Sequence, residues 1–326
     1  MDSFLFAVGA VAPIILTVAV GYLLKRIGIL PVGVAGALNK LVFRVLLPCM
    51  LFLNVYGIKD TGELQIGYIL FAMGVTTLVF FAVLPLSGLF TKERARRGVI
   101  AQCAFRSNYA LIGIPLVESV CGATGVASAT LLSAFSIPLY NILAVIALSL
   151  FGNGGKRPSV KSVLLGIVKN PLILAVGAGL LTLLVRAGFV AWDIGFRLSD
   201  IAPLYKVLTY FSSAATPMAL LALGAQFEFS AIRGMRREII AGVVARTVVM
   251  PLIGLGAALL FCDFNAAQYA ALVALFATPV AVSSAPMAQE MGGDGELAGQ
   301  LVVFTTLVSA FTLFLVIYAL RLLGVF

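Results

Sequence analysis

Histidine is absent from all 326 residues, and that absence removes whole classes of chemistry: His-based triads, zinc sites with imidazole ligands and haem held through histidine. Cysteine is scarce. Cys49, Cys103, Cys121 and Cys262 stand far apart with no C-x-x-C spacing, so neither a metal cluster nor a redox pair is expected, and no cofactor is expected at all. Charge is scarce too, at 11% of residues where about 25% is usual, while hydrophobic residues reach 62% against about 45–50%. A soluble chain of this length has too few charges to coat that much apolar surface, whereas a bilayer accepts it. The first apolar run also lacks the basic residues that precede a cleavable signal: Met1–Ala10 carries Asp2 and no Lys or Arg, and the run continues to Leu24. It reads as a permanent helix, and no soluble domain is expected at either end.

What is present is a series of long apolar runs. Spanning about 30 Å of hydrocarbon takes about 20 apolar residues, which gives ten expected spans: 4–24, 34–54, 67–89, 98–119, 124–150, 170–185, 203–224, 238–260, 265–289 and 297–320. No segment alternates as membrane β-strands do, so the expectation is an all-α polytopic membrane protein. Connections after the first, third, fifth and seventh spans hold 13 Lys and Arg (from Lys25 and Arg26 to Arg233, Arg236 and Arg237), and the other side holds only Lys59, Arg186, Arg197 and Arg321. The positive-inside rule then puts both termini outside, on the periplasmic face of the inner (plasma) membrane if the chain is bacterial, with the lipid bilayer as partner. The same rule accounts for the net charge of +9 without a nucleic-acid partner.

Four prolines of the first half recur in order in the second: Pro13 with Pro171, Pro48 with Pro217, Pro85 with Pro251 and Pro115 with Pro286, at offsets of 158, 169, 166 and 171 with similar flanks. Five spans per repeat is odd, so the repeats would insert with opposite topology, as in secondary transporters. Residues 1–150 form the first five-helix repeat, 151–161 a cytoplasmic linker and 162–326 the second, inverted repeat.

The fourth and ninth spans are interrupted at matching positions. The fourth contains Ser107, Asn108, Tyr109, Gly113 and Pro115, and the ninth contains Thr278, Pro279, Ser283, Ser284 and Pro286. Gly and Pro weaken a helix, and open backbone at membrane depth is tolerated only in a cavity or inside protein. Gly113, Pro115, Pro279 and Pro286 are therefore the expected helix-break residues. Free N–H groups at half-helix N-termini favour an anion, with Asn108, Ser107, Thr278, Ser283 and Ser284 as neutral hydrogen-bonding groups. Five basic residues lie within spans: Lys40 and Lys206 near the ends, where snorkelling explains them, and Arg44, Arg106 and Arg246 deeper. Intramembrane charge usually faces a partner or internal water. With no His, no paired acids at depth and no nucleophile–base set, an enzyme is excluded.

The run Asn108-Tyr-Ala-Leu-Ile-Gly113-Ile-Pro115-Leu resembles the fourth-span motif N-x-x-x-x-G-I-P-L of the auxin efflux carrier family, which includes plant auxin carriers and bacterial malonate and malate carriers. Pro279 followed by Ala288-Gln289-Glu290 and Asp294, Arg246 five residues before Pro251, and Leu223-Gly224 fit as well. The resemblance covers essentially the whole chain. It implies broken, crossing fourth and ninth helices, a scaffold of helices 1, 2, 6 and 7, a transport domain of helices 3–5 and 8–10, and a homodimer. It also implies elevator-type transport of a small carboxylate such as malonate, malate or an auxin-like acid, secondary-active or facilitative, at a site built from Asn108, Ser107, Tyr109, Asn141, Thr278, Ser283 and Ser284. Plant members often carry Pro before the key Asn where this chain has Ser107, so the exact break is left open. A sodium-coupled bile-acid-type symporter is the alternative. It would need acids and amides packed at the break, where only Glu118 and Glu290 come near, so H+ is favoured over Na+ as a coupling ion.

Overall fold

The computed structural model describes residues 2–57, 65–152, 161, 165 and 168–326. Among the described residues every regular element is helical, and seven helices are long and apolar enough to cross a membrane. Most of the expected linker and Lys59 lie outside the described residues.

Helix α1 spans Asp2–Arg26. Helix α2, Val32–Tyr56, carries a π-helical turn at Val42–Leu46. Helix α3 is Ile66–Phe90 and α4 is Arg94–Phe105. Helix α5, Tyr109–Phe151, opens with a π-helical turn at Tyr109–Gly113 and is kinked at Gly122. Helix α6 is Pro171–Ala191, with Pro171 in its first turn and the Asn170 side chain accepting from the Leu172 N–H, and α7 is Ala202–Gln226. Helix α8 begins at Arg236–Val244, passes a π-helical turn at Ala245–Val249 and continues through Met250–Phe261. Helices α9 (Ala266–Phe276), α10 (Ser284–Glu290) and α11 (Gly295–Leu322) complete the chain.

Sequence expects a connection between 119 and 124. The structure instead turns the chain at one residue, Gly122, with φ 58° and ψ −150°, a conformation that a Cβ would exclude. Helices α4 and α9 have 12 and 11 residues, about 18 and 16 Å, so each covers about half the hydrocarbon. Both are enclosed by protein, with Gly98–Phe105 and Gln268–Phe276 buried throughout. Helix α6 is the opposite case, with most of its surface outward and apolar.

Where helices meet closely they do so at glycine, because packing between membrane helices depends on backbone approach rather than on hydrophobic exclusion of water. A Cβ at Gly224 of α7 would lie 2.0 Å from the Val18 carbonyl of α1, and one at Gly21 would lie 2.3 Å from the Leu221 carbonyl. Gly179 of α6 likewise faces the Phe52 carbonyl and Val55 of α2.

The connections sort to two ends. At one end Lys25 pairs with Glu228, Arg96 pairs with Glu238 (3.1 Å) and Asp294 (3.0 Å), and Arg94 donates to the Leu150 carbonyl (2.8 Å). These are the connections rich in basic residues, and Asp294, just ahead of α11, joins them. At the other end Arg186 donates to the Tyr56 carbonyl, and Gln268 of α9 donates to Gln65 ahead of α3. All four cysteines are free, Cys121 and Cys262 included.

Candidate functional site

Two interruptions of helix meet at the centre of the molecule. The chain leaves helix after Phe105 and resumes at Tyr109, and again leaves after Phe276 and resumes at Ser284. Extended backbone at Ser107 bridges Val280 in antiparallel fashion, and the Asn108 N–H donates to the Pro279 carbonyl at 2.8 Å. The breaks therefore satisfy part of each other's backbone, which isolated broken helices in lipid could not do. Pro115 lies past the first break, where the π-helical turn of α5 gives way to regular α-helix, and the Cβ position of Gly113 sits 2.9 Å from the Ala274 Cβ, so Gly113 sets how closely α5 approaches α9. Pro279 is in the second break and Pro286 is buried inside α10.

Arg246 holds the ends of the two half-helices. Fully buried, it donates from Nε to the Thr278 carbonyl (2.7 Å), from Nη2 to Leu275 (2.9 Å) and from Nη1 to Phe105 (3.2 Å) and Ala104 (3.4 Å). The C-terminus of a helix leaves carbonyls unpaired and carries negative partial charge. One planar guanidinium thus answers two C-termini at once, α4 and α9. Thr278 belongs to this bracket, with its hydroxyl donating to the Ala274 carbonyl at 2.7 Å.

Beside the breaks lies a cavity of about 540 Å³. One wall is α2 and α7, with Leu47, Met50, Asn54, Ser212 and Thr216; the other is Arg106–Leu111, Asn141 of α5 and Ala281–Ser283. Of the residues named from sequence, Ser107, Asn108, Tyr109, Asn141, Ser283 and Arg106 line it. Thr278 and Ser284 are buried outside it, and Ser284 Oγ has no partner among the described residues. Arg246 is behind the breaks. Arg44 lies away from the cavity on the outer side of α2, its exposed guanidinium 4.0 Å from Glu290. Lys40 and Lys206 are exposed.

Arg106 is the one charged side chain among the described lining residues. Only 3% exposed, it donates to Asn141 Oδ1 (2.9 Å), Ser283 Oγ (2.8 Å) and Met287 Sδ (2.8 Å), all neutral. Asn141 is oriented for this by its own Nδ2, which donates to the Ile137 carbonyl at 2.8 Å. A guanidinium has five N–H donors, so two remain for a ligand. Ser107 Oγ and Asn108 Nδ2, each 4% exposed, have no partner among the described residues. Tyr109 contributes ring surface, since its hydroxyl is committed to the Ala129 carbonyl at 3.0 Å. Met287, Tyr140 and the α2 and α7 wall were not anticipated from sequence; the polar run Ser212-Ser213 before Thr216-Pro217 was the available signal for part of that wall.

Residues 6–153 and 148–317 match the family described as Membrane transport protein. The chain belongs to that family. It is similar over 323 residues (26% identical, 96% of this chain and 95% of the relative) to a Rhizobium meliloti (strain 1021) protein named "Putative malonate transporter". It is also similar to an "Uncharacterized transporter" of Methanothermobacter thermautotrophicus (22% identical; 95% of this chain, 97% of the relative) and to the Escherichia coli (strain K12) "Uncharacterized transporter YfdV" (27% identical; 85% and 86%). This member of the family is a multi-pass membrane transporter, not an enzyme.

Proposed function

We propose that this transporter carries a small organic carboxylate, bound at Arg106. The observation that carries the reading is a guanidinium buried beside a cavity with three neutral partners and two donors to spare. Arginine cannot shed its charge in such a place, and an uncompensated buried cation is costly. A carboxylate supplies the missing charge and can accept from the N–H groups that remain on Nε and Nη1. Asn108 Nδ2 and Ser107 Oγ provide further donors, and the N-terminal turn of α5 at Ala110 and Leu111 faces the same space. The lining described above favours an anion over the sodium-coupled alternative. Malonate is the first candidate because of the name borne by the Rhizobium relative.

The transport cycle belongs to this proposal: ten crossings as two inverted five-helix repeats, with the wall made by α2 and α7 static and the broken helices moving against it. The glycine contacts support the repeat. Gly21 corresponds to Gly179 at the offset of 158, and Phe52 to Leu221 at 169, so the contact of Gly21 with the Leu221 carbonyl has its counterpart in Gly179 with the Phe52 carbonyl. The sorting of loops to two ends supports alternating crossings in the order read from the basic residues.

Thermal shift of the purified protein with malonate, malate and an auxin-like acid tests the binding step, since a ligand of the folded state raises its stability. Arg106→Gln should weaken the effective ligand by about 10- to 150-fold, corresponding to about 1.5–3 kcal/mol for charge-assisted hydrogen bonds. No shift with any carboxylate, or a variant that binds as the parent does, would sink the assignment.

A further inference from the structure

A second cavity, larger than the first at about 860 Å³, opens between α3 and α8 at the end of the molecule that collects the basic loops. Its floor is apolar. Leu86 and Phe90 of α3 face Ile240, Val244 and Val249 of α8, and each of these five side chains is exposed. Its mouth is basic, formed by Arg233, Arg236 and Arg237. The neighbouring arginines of the α3–α4 connection are committed to protein: Arg94 donates to the Leu150 carbonyl, Arg97 to the Thr91 carbonyl, and Arg96 is held by Glu238 and Asp294. That leaves the carboxylate nearest the mouth, Glu238, already paired. Arg237 gives one N–H to the Leu89 carbonyl (2.8 Å), which tethers it across the groove, while Arg233 and Arg236 make no ion pair among the described residues.

We propose that this groove binds an anionic phospholipid, with the phosphate at Arg233 and Arg236 and an acyl chain along α3 and α8. The dimensions fit. From Arg236 to Val249 is 13 residues, or about 20 Å of helix against about 15 Å for half the hydrocarbon core, so the groove runs the depth of one leaflet and begins at headgroup level. The chemistry fits as well. The first turn of α8 starts at Arg236 with no side-chain cap, and its positive partial charge adds to the arginines at the place where a phosphate would sit. Basic pockets between membrane helices that open on apolar grooves select anionic headgroups. A zwitterionic lipid would fill the same groove without engaging the arginines, so the selectivity resides in the mouth and the capacity in the floor.

Native mass spectrometry of the full-length protein, exchanged into mixed micelles holding equal phosphatidylglycerol and phosphatidylcholine, separates the two contributions. The parent should retain one phosphatidylglycerol in preference. The double variant Arg233→Gln/Arg236→Gln should lose that preference by about thirtyfold, equivalent to about 2 kcal/mol at about 1 kcal/mol per basic residue. Val244→Trp, which fills the floor and leaves the arginines in place, should abolish retention of either lipid. Inorganic phosphate at millimolar concentration should not displace the lipid, because it brings no acyl chain. Equal retention of the two lipids by the parent, phosphatidylglycerol retention unchanged in both variants, or displacement by phosphate alone would each overturn the proposal.

Discussion

Replacing Arg246 should loosen both helix breaks together. Two of its contacts are short, at 2.7 Å to Thr278 and 2.9 Å to Leu275, and two are longer, at 3.2 and 3.4 Å to Phe105 and Ala104. A hydrogen bond to a charged group contributes about 1.5–3 kcal/mol, so the two short ones alone give about 3–6 kcal/mol. Removing the guanidinium also removes its own burial cost, which offsets part of the loss, but it strands buried carbonyls at the ends of α4 and α9. A buried acceptor left without a partner costs about 1–3 kcal/mol, so the two carbonyls of the short contacts give about 2–6 kcal/mol as the expected net effect of Arg246→Ala. The melting temperature of purified protein should fall by on the order of 10 °C. Arg246→Lys is the informative control. An ammonium carries the charge but not the fork, and a single point cannot reach Thr278 on one side and Phe105 on the other. If the role is to bridge the carbonyls, Lys should be destabilised nearly as much as Ala, and carboxylate binding should weaken in both because the breaks that present Arg106 and Asn108 are no longer held. If Lys melts and binds as the parent does, the bridging argument fails and only charge matters. An Ala variant of full stability would refute both forms.

Three further expectations are independent of that one. Asn108→Ala removes a buried amide whose Nδ2 has no partner among the described residues, so the ligand-free protein should be as stable as the parent or slightly more, while carboxylate affinity falls by about 1.5–3 kcal/mol in a titration; unchanged affinity would remove Asn108 from the site. Gly224→Ala forces α1 from α7 against the Val18 carbonyl and should cost about 1–3 kcal/mol as an overpacked contact, whereas Gly177→Ala, with open space at its Cβ, should be neutral or mildly stabilising in the same melt; equal effects would mean that the close approach is not tight. Titration of the denatured, unreduced protein with a thiol reagent should count four free thiols, as the separated cysteines require, and a count of two would show a disulfide.

The sequence determined the solvent of this protein and the places where its helices fail. Both are local, additive properties: an apolar run partitions into lipid residue by residue, and Gly or Pro weakens a helix wherever it stands. On that basis the unusual segments around Asn108 and Pro279 were legible. The position of the first break was legible only to within a turn or two, because Gly113 and Pro115 mark a weak helix while the hydrogen bond from Asn108 to Pro279 decides where it opens. The three deep arginines looked alike in the sequence and have three different settings in the structure. Arg44 turns outward, Arg106 faces a cavity, and Arg246 is sealed among carbonyls contributed by residues 29 to 142 positions away. What an arginine does depends on which partners converge on it, and convergence of distant segments is not encoded in any local pattern. Only the tertiary structure, by bringing two broken helices together, decided which arginine holds the breaks and which one faces the cavity.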